Sequence, residues 1–189
     1  MQILQGKNIV LGITGGIAAY KMPELVRRLI DQGANIRVLM TESAKAFITP
    51  LTLQAVSGNV VSDTLLDTEA ERAIGHIELA KWADFMLVAP ATQNTIDKMA
   101  NGVCDNLLLA TYFSMNRKVY FAPAMDLDMF QHPSNTTNIE KLQSFGNILI
   151  PVEHGELASG LVGQGRMAEV ESIIAKLAES DSNWKDKKV

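Results

Sequence analysis

Six short segments carry most of the residues in this 189-residue sequence that could do chemistry, and most follow directly on an apolar run. The first is Gly12-Ile13-Thr14-Gly15-Gly16-Ile17-Ala18-Ala19. Glycines let a backbone approach an anion closely, a helix start beyond them supplies N–H groups and partial positive charge, and Thr14 adds a hydroxyl. This is a phosphate-site pattern, although Thr14 stands where G-x-G-x-x-G has its second glycine. A tight strand–helix turn with no ligand would use the same residues. The second segment, Thr41-Glu42-Ser43, would bring hydroxyls beside the first turn. They suit an anion contact and equally a helix N-cap, and the two roles are compatible.

The third segment, Ala89-Pro90-Ala91-Thr92-Gln93-Asn94-Thr95, runs on through Lys98 to Leu107. Its small and hydroxylated residues suit a polyol or a heteroaromatic edge, or a capped helix followed by an Asn-Gly turn. The fourth is His76, whose imidazole is the natural general base near neutral pH, though a lone histidine also serves as an ordinary surface or structural residue. His132 and His154 lie in loop-like sequence and are given no role. The fifth, Pro123-Ala124-Met125-Asp126-Leu127-Asp128-Met129-Phe130, reads as an apolar and acidic turn bracketed by Pro123 and Pro133, or as a helix entry capped by Asp126. The sixth, Gly155 to Met167, has four glycines in its first eleven residues and reads as a flexible loop able to close over a ligand. No metal-ligand spacing is present, since Glu78 would not share a helical face with His76. No G-x-S-x-G nucleophile elbow is present either.

The elements that must position these segments alternate. Ile9–Leu11, Ile36–Met40, Phe85–Val88, Val119–Phe121 and Ile148–Ile150 are short, continuous apolar runs, as in strands buried on both faces. Helical spacing marks Met22–Ile30, a stretch from about 43 to 57 interrupted near Pro50, 95–100, 106–113, and Val170, Ile173, Ile174 and Leu177. The alternation predicts an α/β fold: a doubly wound, Rossmann-like parallel sheet in a three-layer α/β/α sandwich. Ligands would then sit beyond the carboxyl ends of the strands.

Bulk properties fit that reading. Hydrophobic residues make up 47% and charged residues 20%, as in a globular protein, and the length suits one domain. The net charge of −4 provides no nucleic-acid footprint. Cys104 is the single cysteine, so neither an intrachain disulfide nor a cysteine-built zinc site can form. The longest apolar run, Phe85–Ala91, falls short of the roughly 20 residues of a membrane helix. A cytoplasmic protein without membrane or nucleic-acid partners is expected. The domain is placed at 1–179, with polar residues 180–189 as a linker. Lys185–Val189 echoes the entry to the first strand, as though a further domain began there.

Taken together, Gly12–Lys21, His76–Asp84, Ala89–Leu107, Pro123–Phe130 and Gly155–Met167 resemble, in order and spacing, the flavin-dependent cysteine decarboxylases, most of all the phosphopantothenoylcysteine decarboxylase domains of bacterial bifunctional enzymes. The resemblance implies FMN as cofactor, with its phosphate near Gly15, Gly16 and Ile17, supported by Ser43, and its flavin facing Thr92, Asn94 and Thr95. It implies His76 as active-site base, and Met125, Asp126 and Met129 as substrate contacts. Residues 155–167, with Ser159, become a clamp. The implied reaction converts 4′-phosphopantothenoylcysteine to 4′-phosphopantetheine in coenzyme A synthesis. Flavin oxidation of the cysteine end gives a thioaldehyde-like species that supports the carbanion left by carbon dioxide, and the electrons then return. The resemblance also implies homotrimers, or a dodecamer of trimers, with flavin sites between subunits, and a synthase domain after 189.

Three positions depart from the family pattern. Asp126 replaces an asparagine, and an ionised carboxylate repels a substrate carboxylate unless it is protonated, counter-paired or turned away. Phe130 replaces a tryptophan and loses an indole N–H. Ser159 replaces a cysteine and lacks the acidity and redox chemistry of a thiol. A flavin prenyltransferase and a non-catalytic FMN-binding regulatory subunit are the alternative readings. A nicotinamide dinucleotide binder is disfavoured, because Glu42 is a weak candidate for the acidic ribose contact.

Overall fold

The structure is a computed structural model that describes residues 2–63 and 75–182. Five strands, β1 (Asn8–Ile13), β2 (Asn35–Met40), β3 (Phe85–Ala91), β4 (Lys118–Pro123) and β5 (Ile148–Leu149), form one parallel sheet in the order β2-β1-β3-β4-β5. The chain leaves β1 towards β2 and then crosses back to β3, so the expected doubly wound topology is present, with its switch point between β1 and β3.

Successive residues of each strand enter opposite cores. Ile9, Leu11 and Ile13 of β1, Phe85, Leu87 and Ala89 of β3, and Tyr120 and Ala122 of β4 pack on one face. Val10, Met86, Val88, Val119 and Phe121 pack on the other. The first face is covered by α1 (Met22–Asp31), α2 (Pro50–Ser57) and α8 (Val170–Ser182), through residues such as Leu25, Leu29, Leu53, Ile173 and Leu177. The second is covered by α3 (His76–Trp82), α4 (Gln93–Asn101), α5 (Leu107–Ser114) and α7 (Pro133–Ser144). This two-sided burial explains why the strands read as unbroken apolar runs.

Helix starts follow the cap chemistry of the sequence. The Thr92 and Asn106 side chains accept the backbone N–H groups of Thr95 and Leu109, at 3.3 and 2.8 Å. Thr41 behaves differently from its expected role. It stands at the N-cap of a 3-10 turn, Glu42–Ala46, without a side-chain capping bond, and its hydroxyl meets Ser43 Oγ at 3.2 Å instead.

Two other expectations change. Residues 155–167 are not an irregular loop: β6 (Glu153–Glu156) and β7 (Val162–Arg166) form an antiparallel hairpin. Helix α8 runs through Ser182, so the first three residues of the expected linker are helical. The echo at Lys185–Val189 lies outside the described residues.

Leu11 is fully buried in the β1 row. Leu11→Ala is expected to destabilise the fold by about 2–5 kcal/mol, read as a lower urea midpoint with an unchanged slope.

Candidate functional site

The turns after β1, β2, β3 and β4 all open at the carboxyl edge of the sheet. There they surround a cleft of about 810 Å³ whose remaining wall is the β6–β7 hairpin. Gly15, Gly16, Ile17, Ser43, Thr92, Asn94, Met125, Asp126, Met129 and Ser159 all line it. Ten of the twelve residues assigned a site role from sequence thus meet at one place, from five separate segments of the chain.

Thr14 is the tie between the first and third turns. It is 1% exposed. Its hydroxyl donates to the Pro90 carbonyl and accepts the Thr92 N–H at 3.1 Å. The expected role of this hydroxyl as an anion donor is therefore replaced by a bridge across the switch point. Gly15 is tight against the second turn: a Cβ built on it would lie 2.3 Å from Ser43 Oγ and 2.9 Å from the Ser43 carbonyl carbon. Real carbon atoms do not approach that closely, so glycine is required here for space. The Gly16 N–H donates to the Thr14 carbonyl at 2.9 Å, which leaves Gly15 and Ile17 as the backbone donors of the expected set.

Two assigned residues stand outside the cleft. Thr95 is buried at 3% exposure, with its N–H and hydroxyl both engaged by the Thr92 hydroxyl, so it shapes the turn from behind. His76 is the first residue of α3 and half-buried. A helix that leads into a parallel strand starts at the carboxyl edge, so His76 shares that edge with the cleft. It lies on the α3–α5 side and does not line the cleft of its own chain.

The hairpin lies flat on the turn after β4. The Met125 N–H donates to the Gly165 carbonyl at 3.0 Å. A Cβ on Gly163 would lie 2.7 Å from Leu127 Cδ1, and one on Gly165, whose φ is +134°, would lie 2.4 Å from the Met125 carbonyl oxygen. These glycines serve close docking rather than looseness. At the tip, the Ser159 hydroxyl donates to Asp126 Oδ1 at 2.9 Å, and the same oxygen accepts the Leu127 N–H at 2.8 Å at the start of α6 (Leu127–Gln131). Asp126 is therefore hydrogen-bonded by two neutral donors, which hold its carboxylate in place without cancelling its charge.

Sequence reading gave no role to Tyr20, Lys21, Gln93, Glu156 or Arg166, which also line the cleft. Lys21 and Arg166 sit inside segments already singled out. What the sequence hides is Glu169, from beyond the hairpin, which joins them at 2.9 and 2.7 Å. The Lys21 ammonium, foremost by its hydrogen bonds, holds the Glu169 carboxyl below the usual glutamate range.

The described residues contain no cluster of three or more His, Cys, Asp or Glu able to hold a metal, and no helix long and apolar enough to cross a membrane.

The family model described as Flavoprotein matches residues 2–181. The chain belongs to that family. It is 50% identical over 175 residues to the coenzyme A biosynthesis bifunctional protein CoaBC of Vibrio cholerae, covering 93% of this chain and 44% of the relative. It is 51% identical over 171 residues to CoaBC of Escherichia coli, covering 90% and 42%. The chain thus spans less than half the length of these relatives. Among solved structures it resembles a cysteine-to-serine variant of PPC decarboxylase complexed with pantothenoylaminoethenethiol, with a TM-score of 0.83 and 29% identity over 94% of this chain and 100% of the other. It also resembles the FMN binding protein AtHal3, with a TM-score of 0.79 and 28% identity over 98% and 100%.

Gly15→Ala should leave a folded protein that retains flavin roughly tenfold less well, because the added carbon must push Ser43 out of the wall. Visible absorbance after gel filtration measures the retention, and an unaltered flavin content would contradict the crowding argument.

Proposed function

We propose that this chain binds FMN and decarboxylates 4′-phosphopantothenoylcysteine to 4′-phosphopantetheine, the decarboxylase step of coenzyme A synthesis. One observation carries the reading: the cleft assembled from the turns after β1 to β4 and roofed by the β6–β7 hairpin belongs to a chain half identical to CoaBC over this part. The cleft suits FMN on its own terms. The crowded Gly15 backbone, Ser43 and the Thr92–Asn94 turn form a polar cradle on one side, and Met125 and Met129 give apolar surface on the other.

When bound, the flavin would supply reversible two-electron oxidation of the cysteine end of the substrate. The chain's own residues do the rest. Met125 and Met129 wall the substrate, and the hairpin over them limits water at the reacting end. Asp126 and Ser159, bonded to each other, hold the hairpin tip on α6. Ser159 is the hydroxyl at that end, and it is a far weaker acid than a thiol.

His76 acts as base in a neighbouring subunit's cleft. Its place at the carboxyl edge, outside the cleft of its own chain, supports that reading, and the reading takes a trimer with shared sites as the working assembly. Its imidazole takes a proton from the substrate and holds it until product forms.

Anaerobic addition of 4′-phosphopantothenoylcysteine to the yellow protein should bleach the flavin band and release carbon dioxide. A flavin spectrum indifferent to the substrate would overturn the decarboxylase reading while leaving FMN binding intact. His76→Asn should retain FMN and lose turnover by at least about a hundredfold, and undiminished turnover would remove His76 from the mechanism.

A further inference from the structure

Four charged side chains line the cleft, and they are segregated. Asp126 and Glu156 belong to the hairpin tip and the turn it covers. Lys21, at the end of the 3-10 turn Ile17–Lys21, and Arg166, at the base of the hairpin, belong to the other end. Lys21 is a nearly buried cation, its side chain 10% exposed, and such a charge needs a partner. Its partner is Glu169, at 2.9 and 3.0 Å from the two carboxylate oxygens. Arg166 Nη2 reaches the same carboxylate at 2.7 Å. Among the described residues, the side-chain hydrogen bonds of both cations run to Glu169. One carboxylate therefore bonds two cations directly, and Arg166 keeps further N–H groups beyond its bond to it.

Glu169 is held in place from behind. Its own N–H donates to Glu153 Oε1 at 3.1 Å, and the Ser172 hydroxyl donates to the same oxygen at 2.8 Å. The counter-ion is thus fixed at the start of α8, while five guanidinium N–H donors of Arg166 share one bond to it. A fixed carboxylate cannot follow its cations into the cleft, but an arriving anion can join them.

We propose that Lys21 and Arg166 form the anion-receiving end of the substrate site, with Glu169 as the resident counter-ion that keeps both cations placed until an anionic group of the substrate arrives. The inference deepens the functional reading above and rests on it for the identity of the substrate. That substrate offers two anions, a phosphoryl group and a cysteinyl carboxylate. Arginine and lysine receive either by charge-assisted hydrogen bonds.

Calorimetric titration of inorganic phosphate into the FMN-loaded protein, at fixed ionic strength, reads the site without turnover. Wild type should bind phosphate, Arg166→Met roughly tenfold more weakly, and Glu169→Gln more tightly, because it frees both cations. A merely structural tie would lose binding in both variants or show none in wild type, and either result overturns the proposal. So would loss of FMN from Arg166→Met, which would give the cations to the cofactor phosphate. Steady-state kinetics then separate the sources. A KM increase for 4′-phosphopantothenoylcysteine alone assigns the phosphoryl group, an equal increase for unphosphorylated pantothenoylcysteine assigns the carboxylate, and unchanged KM for both overturns the proposal. If wild type binds phosphate through Arg166 yet decarboxylates neither compound, the functional reading fails and the anion site stands.

Discussion

The cleft depends on the contact that Thr14 makes across the switch point. In a doubly wound sheet the chain leaves β1 and β3 in opposite directions, so the two turns that flank the crevice have no ladder hydrogen bonds to hold them together. Thr14 supplies that tie from a buried position, donating a hydrogen bond to the Pro90 carbonyl and accepting one from the Thr92 N–H. The bond to Pro90 is shielded from water, so losing it would leave a buried polar group unpaired, at a cost of about 1–3 kcal/mol. The larger effect of the two bonds is geometric. They fix the gap between the glycine turn and the Thr92–Asn94 turn, and that gap is the width of the cleft.

The remaining walls follow from this fixed edge. Gly15 presses on Ser43, which sets the second turn, and Thr92 caps α4 with the oxygen that also engages Thr95. The hairpin is then fastened at both ends. Its base is joined to α8 and the 3-10 turn through Glu153, Glu169, Arg166 and Lys21, and its tip is joined to α6 through Ser159 and Asp126. Between them, Gly163 and Gly165 allow backbone contact that no side chain would permit.

The fold was legible because a parallel sheet covered on both faces leaves a simple trace: short apolar runs whose alternate residues serve different cores. Most of the cleft was legible for a related reason, since residues directly after those runs must surface at the carboxyl edge. What was not legible is contact between distant segments. The Thr14 hydroxyl looks like an anion donor until Pro90, 76 residues away, is seen to accept from it. Glycines in 155–167 look like looseness until Leu127 and Met125 occupy the space beside them. Lys21 and Glu169 lie 148 residues apart, and no local pattern announces their pairing. His76 was singled out by its chemistry, and its place outside the cleft of its own chain is a matter of tertiary structure that no local pattern carries.

The two most consequential departures from the family pattern are best understood together. Aspartate for asparagine at 126 removes an amide donor and adds a charge, and serine for cysteine at 159 replaces a weak donor by a stronger one. Separately, each weakens a site meant for an acidic substrate. At 2.9 Å they complement each other, because a hydroxyl donates well to a carboxylate and the Leu127 N–H satisfies the same oxygen. The pair secures the hairpin tip, but it turns that end of the cleft acidic, with Glu156 beside it. On the proposed reading, an anionic substrate meets its favourable contacts at Lys21 and Arg166, the two cations that line the cleft. The substitutions at the tip thus make the proposed anion contacts at Lys21 and Arg166 weigh more in placing the substrate, because the tip offers it no cation.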